Sequence, residues 1–265
     1  MIQIRRFGDV TQLRMARTVF GRPLYVACAY FVDGLLLDTG PPIVAHELRR
    51  LIAGMEVHQA VNTHAHEDHV GNNPVLQEIG IVPLAHPLAL PLIAHPPVQQ
   101  LYRRVVWGAH PPGSAKPLGD EIATRRFHFR IIHTPGHSVD HICLFEERHG
   151  WLFSGDLFLS PYVKVLRIDE NPHQVIASLR KVLALPITTV FDSGGKVVED
   201  GRAALQRKLD FWERLRDQAR ELHTTGRSPI EIRRRLLGRE GAFQIMTWGH
   251  FSKQNLIDAL LRPET

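Results

Sequence analysis

The chain has 265 residues, 44% apolar and 22% charged, with a formal net charge of +5. This is ordinary globular usage and excludes a disordered or fibrous protein. No apolar run reaches the roughly 20 residues a membrane helix needs, and the opening Met1-Ile-Gln-Ile-Arg-Arg lacks the apolar region of a signal peptide. The length fits one large core with a small appendage. The two cysteines, Cys28 and Cys143, both lie in apolar runs. They read as buried thiols in a reducing cytoplasm rather than as a disulfide.

The first 40 residues read as paired strands. The apolar run Pro23 to Val32 reads as a buried strand. It meets Leu35-Leu-Leu across Asp33-Gly34, a two-residue hairpin signal. Residues 43–54 fit a helix, with apolar positions Ile43, Leu48, Leu51 and Ile52. Ala60-Val-Asn-Thr is a short strand. Residues 83–118 hold eight of the 18 prolines, which excludes regular structure throughout. They read as a long loop carrying one short helix near Val98 to Trp107, offering Tyr102 and Trp107 as apolar surface and Arg103 and Arg104 as charge. Strands are expected at 127–133, 142–146, 151–154 and 187–191, and a helix at 172–184. The alternation argues for a layered α/β protein.

Beyond Gly195 the texture changes. Leu205, Leu209, Trp212, Leu215, Ala219 and Leu222 recur at helical spacing, with Asp200 and Gly201 where a cap belongs. Ser228-Pro229 opens a second helix and a third runs from about Ser252 to Leu261. A boundary near residue 200 divides residues 1–200 from a helical extension, 201–265. Arg202 to Arg239 hold eleven Lys/Arg and five Asp/Glu, so the basic character lives in this extension. It reads as a solvated helix face, or as the grip for an acidic partner.

Sixteen histidines are more than a core needs, and histidine is the commonest metal ligand. The decisive stretch is Thr63-His64-Ala65-His66-Glu67-Asp68-His69. His64 and His66 stand two apart at a strand end, so both side chains share a face. After the turn, Asp68 and His69 can face a neighbouring position. Together they are the ligand supply for two adjacent cations, and imidazole with carboxylate suits zinc, iron or manganese. Thr134-Pro-Gly-His137-Ser and Phe153-Ser-Gly-Asp156 follow, each also at a strand end.

This succession, with Leu37-Asp38-Thr39-Gly40 before it, resembles the metallo-β-lactamase superfamily across residues 20 to 195. The wording Thr134-Pro-Gly-His-Ser-Val-Asp-His141 is most similar to the glyoxalase-II-like hydrolases and the related lactamase-like ribonucleases. The resemblance implies a four-layer αββα sandwich with metals at one edge between the sheets. It implies that His64, His66 and His137 bind a first metal and Asp68 and His69 a second, with Asp156 bridging. Zinc is the expected ion, one or two per chain, with iron or manganese as alternatives. Asp68 would orient the attacking water and shuttle its proton. Asp38, Asp140 and His141 would support the ligand loops.

The chain departs from that pattern at one point. The family's last ligand is a histidine in a turn after the final core strand, and here Asp192-Ser-Gly194-Gly-Lys196 places Gly194 there. Three readings stand open: Asp192 substitutes, His250 arrives from the extension, or the second site is weak. The expected function is a metal-dependent hydrolase of a small ester or thioester. The alternatives are a nuclease, whose nucleic-acid partner is not favoured because no aromatics interleave with the basic residues, and a non-catalytic sensor of the same fold.

Overall fold

The computed structural model describes residues 1–264. A seven-stranded sheet runs in the order Ile2–Phe7, Val10–Met15, Ala27–Val32, Leu35–Leu37, Gln59–Val61, Leu84–Ala85, Lys116–Pro117. A six-stranded sheet follows: Glu121–Ala123, His128–His133, Ile142–Glu146, Trp151–Phe153, Thr189–Phe191, Val197–Val198.

Three buried clusters show four layers. Between the sheets, Tyr30, Val32, Leu35 and Leu37 meet Phe129, Ile142, Leu144, Phe153 and Phe191. The alternate residues of the same strands point outward. Ala29 and Leu36 pack under the helix Ala45–Ile52 through Leu48 and Ile52. Cys143 and Phe145 pack under Pro172–Leu183 and the long helix Gly201–Thr224. Each sheet thus buries both faces by the period-2 alternation of its strands. This is the expected αββα sandwich.

The hairpin forms as expected: Val32 pairs with Leu35, and Asp33 and Gly34 both have positive φ, as a type I′ turn requires. The run Pro23 to Val32 does not behave as one strand. Only Ala27–Val32 is the core strand. Thr18–Val19 and Arg22–Pro23 form a separate two-residue hairpin tipped by Phe20, and Leu24 and Tyr25 are exposed. Pro23 has no N–H to give a central ladder.

Residues 83–118 hold more structure than one short helix in a loop. Leu84–Ala85 and Lys116–Pro117 extend the first sheet, and Leu90–Ala94 precedes the expected Leu101–Trp107. Pro91 sits in the first turn of its helix, where its missing N–H costs nothing.

In the extension, Asp200 precedes the helix without capping it. The Gly201 amide bonds the Thr188 carbonyl at 2.7 Å instead. Ser228 and Glu231 form a reciprocal capping box for Pro229–Leu236. A five-residue helix, Ala242–Met246, was too short to leave a periodic signal. Phe251–Ser252 pairs with Leu166–Arg167 before the last helix, Lys253–Leu261. Cys28 and Cys143 are free and buried. Among the described residues, no helix is long and apolar enough to cross a membrane.

Candidate metal centre

Four chain segments leave strand ends and meet at one edge between the sheets. Gln59–Val61 leads into the histidine cluster, His128–His133 into His137, Trp151–Phe153 into Asp156, and Thr189–Phe191 into Asp192 and Ser193. Two donor groups result: His64, His66 and His137, and His64, His69 and Asp156, each with ligand atoms within 4.8 Å of one another.

In the first group the His66 Nδ1 lies 2.7 Å from His64 Nε2 and 3.1 Å from His137 Nε2. On His64 and His137 the opposite ring nitrogens are already engaged. His64 Nδ1 meets the Thr63 hydroxyl at 3.1 Å, and His137 Nδ1 meets Glu170 Oε1 at 3.1 Å. Such partners turn the remaining nitrogens and their lone pairs toward a common point, as metal-binding imidazoles require.

Asp156 stands between the groups. Its Oδ1 is 3.2 Å from His69 Nε2 and its Oδ2 is 3.2 Å from His137 Nε2. Ser193 donates its hydroxyl to the same Oδ1. Asp68 lies just off the second group, its Oδ2 3.7 Å from His69 Nε2 and its Oδ1 3.8 Å from Arg103 Nη2.

Asp38 holds the cluster from behind. It has a left-handed φ of 61°, a strain kept where a side chain must be aimed. Its carboxylate accepts from the Thr63 amide at 2.7 Å and hydroxyl at 2.9 Å, and faces His69 Nδ1 at 2.7 Å. Asp140 accepts the Ala65 amide at 2.7 Å. His141 accepts the Asp156 amide at 3.0 Å. Gly155, at φ +47°, cannot carry a side chain, because a Cβ would stand 2.6 Å from His141 Nε2.

Burial and neighbouring charge set the protonation pattern. Burial, then the adjacent imidazoles, pushes the pKa of His64 well below the usual value. Burial, then Arg167, does the same for His66. Both are therefore neutral and available as donors. Burial alone would also lower His69, but Asp38, Asp156 and Asp68 outweigh it and hold His69 well above the ordinary value. Burial opposes ionisation of Asp156, yet His137 and His69 keep its carboxyl well below the usual range. Burial raises Asp68.

Neither candidate for the missing last ligand joins a donor group. Asp192 turns its Oδ1 to the Lys196 amide at 2.7 Å, closing its own turn. His250 places Nδ1 2.6 Å from the Tyr102 hydroxyl and lines a small polar pocket behind His66. Gly194 lines the cleft, and the neighbour of Gly194 that reaches the site is Ser193.

Sequence reasoning passed over Ser193, Glu170, Arg167 and the pairing of Arg103. Arg167 donates to the His137 carbonyl at 2.8 Å. Arg103 makes a bidentate pair with Glu67 at 2.5 and 2.8 Å, tying Leu101–Trp107 to the metal loop. The available signal was an acid beside a helix cap: Asn171 caps Pro172–Leu183, and its amide bonds the Gly136 carbonyl.

A model of the metallo-beta-lactamase superfamily matches residues 23–194, most of the chain. The chain belongs to the metallo-beta-lactamase superfamily. Among its relatives is an atrochrysone carboxyl ACP thioesterase from Aspergillus fumigatus, 29% identical over 76% of this chain and 43% of that protein. A hydroxyacylglutathione hydrolase from Aeromonas hydrophila is 29% identical over 64% of this chain and 65% of that enzyme. The chain thus spans less than two thirds of either relative's length. A metallo-beta-lactamase family protein from Thermus thermophilus shares the fold of this superfamily member at a TM-score of 0.67 and 18% identity, covering 96% of this chain and 91% of that one. A metallo-beta-lactamase from Pontibacter korlensis aligns at 0.65 and 18% identity, over 80% and 99%.

Proposed function

We propose that this chain is a metal-dependent hydrolase of thioesters or related esters. The observation that carries this is the pair of donor groups sharing His64, with one Asp156 oxygen facing each, opening into a substrate-sized cleft. The names of the two relatives, a thioesterase and a hydroxyacylglutathione hydrolase, support the thioester as the bond cleaved.

The donors fit a divalent cation. Three imidazole nitrogens converge in the first group, and two carboxylates lie beside them. Zinc suits this set best, with iron or manganese also compatible. His64, His66 and His137 would hold the first ion, and His69, Asp68 and Asp156 the second. A bound cation supplies Lewis acidity to a carbonyl oxygen and lowers the pKa of water to about 7. Asp68, at the cleft floor, orients the attacking water and accepts its proton. Glu170 and Asp38 keep the rings of His137 and His69 aimed. In the overall change water's oxygen bonds the acyl carbon, the carbon–sulfur bond breaks, and the thiol leaves with a proton.

The cleft does not favour a nuclease. Its two cations, Arg103 and Arg167, are bonded to Glu67 and Asp169, so no free guanidinium is offered to a phosphate. The test is elemental analysis of protein purified without chelator, followed by thioester hydrolysis before and after chelation. Bound metal with chelator-sensitive cleavage is expected. Metal-free protein that stays inert when reloaded with zinc, iron or manganese would overturn the reading.

A further inference from the structure

The cleft over the donor groups encloses about 600 Å³, an ordinary size for a small-molecule site. Its walls are apolar. Tyr25 comes from the segment after the Phe20 hairpin and Trp107 from the end of Leu101–Trp107, their rings 6.3 Å apart. Phe243, Met246, Trp248 and Phe251 come from the C-terminal extension. These residues are far apart in sequence and converge only here.

Several are left open to water. Tyr25 and Met246 are exposed, and Trp248 is 72% exposed. A tryptophan in water forgoes the burial that is its main contribution to stability. Trp248 is also left-handed, at φ +48°, a conformation bulky residues adopt under strain and one that gathers at ligand clamps. Strain and exposure in one side chain facing the cleft mark it as waiting for an apolar occupant.

Which end of a thioester fills the cleft follows from charge. Common thiol carriers are polar and anionic, and the only guanidiniums lining the cleft are already paired with Glu67 and Asp169. We propose that the cleft is an acyl subsite and that the preferred substrates are thioesters of long-chain or aromatic acids. The acyl group packs between Tyr25, Trp107 and Trp248, and the thiol portion leads out to solvent. This rests on the thioesterase reading above and narrows it to a substrate class.

Two isomeric thioesters of equal size test it: S-ethyl octanethioate, long on the acyl side, and S-octyl thioacetate, long on the thiol side. S-ethyl thioacetate is the short reference. Each methylene moved from water into an apolar wall is worth about fourfold. The octanoyl ester should therefore exceed both others in kcat/KM by about a hundredfold or more. Trp248→Ala should collapse that preference severalfold, and its exposed position keeps folding out of the result. Equal rates for the two isomers, or a preference for S-octyl thioacetate, overturn the proposal while leaving the thioesterase reading intact.

If no thioester is cleaved, the thioesterase reading fails and ligand binding judges the subsite alone. Octanoate should quench tryptophan fluorescence at concentrations about a hundredfold below those butyrate needs. Equal concentrations for the two acids overturn the subsite as well.

Discussion

The floor and the roof of the cleft are built on opposite principles. On the floor four of the six donor side chains are fixed by a named partner: Asp38 on His69, Glu170 on His137, Thr63 on His64, Ser193 on Asp156. The roof is made of apolar side chains on short elements, several left exposed. Fixing suits chemistry, where a small misplacement of a ligand is costly. Openness suits selectivity, because an uncommitted apolar surface gains its contacts only when a substrate arrives.

The contrast can be broken most severely from the floor. His66→Ala should strip metal and reduce hydrolysis to background, since too few donors remain on the first group. Retained metal and turnover would remove His66 from the centre. Glu170→Gln keeps the shape but loses the charge behind His137. A loss of about 10–100-fold in metal affinity is expected, read by competition with a chromogenic chelator. Unchanged affinity would make Glu170 a bystander.

Acid should also act on the floor. Burial holds His64 and His66 well below the usual histidine value and pushes His141 down to about 3. The unfolded chain takes up these protons near pH 6.5 and the folded chain does not. Below that pH, stability is therefore lost. His69 has the opposite sign, since its raised pKa stabilises the fold below pH 6.5, and so do Asp68 and Asp192, whose carboxyls burial raises, the latter to about 6. Burial also lowers His110 and His250, so the lowered histidines outnumber the opposing groups. Metal-free protein should melt at a lower temperature at pH 5 than at pH 7, by calorimetry. A higher melting temperature at pH 5 would contradict this balance.

A milder change sharpens the boundary between the regions. Gly194 is not left-handed, and a Cβ there would press only Leu159, at 3.3 Å. Gly194→His should fold and raise occupancy of the second metal position, counted as metal per chain. No added metal would mean that the turn aims its side chain elsewhere. The smallest effect is expected on the roof: Trp248→Ala should change stability by no more than about 0.5 kcal/mol. A larger loss would show that Trp248 is committed to packing in the free protein.

Legibility in the sequence follows the same division. That His64, His66, Asp68, His69, His137 and Asp156 would gather at one edge was readable because a strand end repeats its geometry locally, and short spacing then encodes position. The sheets were readable from period-2 alternation, and Gly201–Thr224 from its apolar stripe. The roof was not, because Tyr25, Trp107 and Trp248 are brought together by tertiary folding and share no local period. Pro23 to Val32 was overread for a related reason: apolar content does not distinguish a buried strand from a cleft wall. Glu170 was missed because its partner lies 33 residues earlier across a loop, and its one cue, an acid beside a helix cap, names no partner.

One two-residue strand pairing has a wider consequence. Phe251–Ser252 of the extension is laced to Leu166–Arg167, and Arg167 reaches directly to the His137 carbonyl. The same short ribbon carries Trp248 into the roof three residues earlier and steadies a floor ligand on its far side. The extension therefore cannot be exchanged like a cartridge. A lineage that reshapes it to accept a new acid also alters how firmly a ligand loop is held. On the proposed function, choice of acid and rate of hydrolysis are mechanically geared together, and grafting another protein's extension should shift both at once.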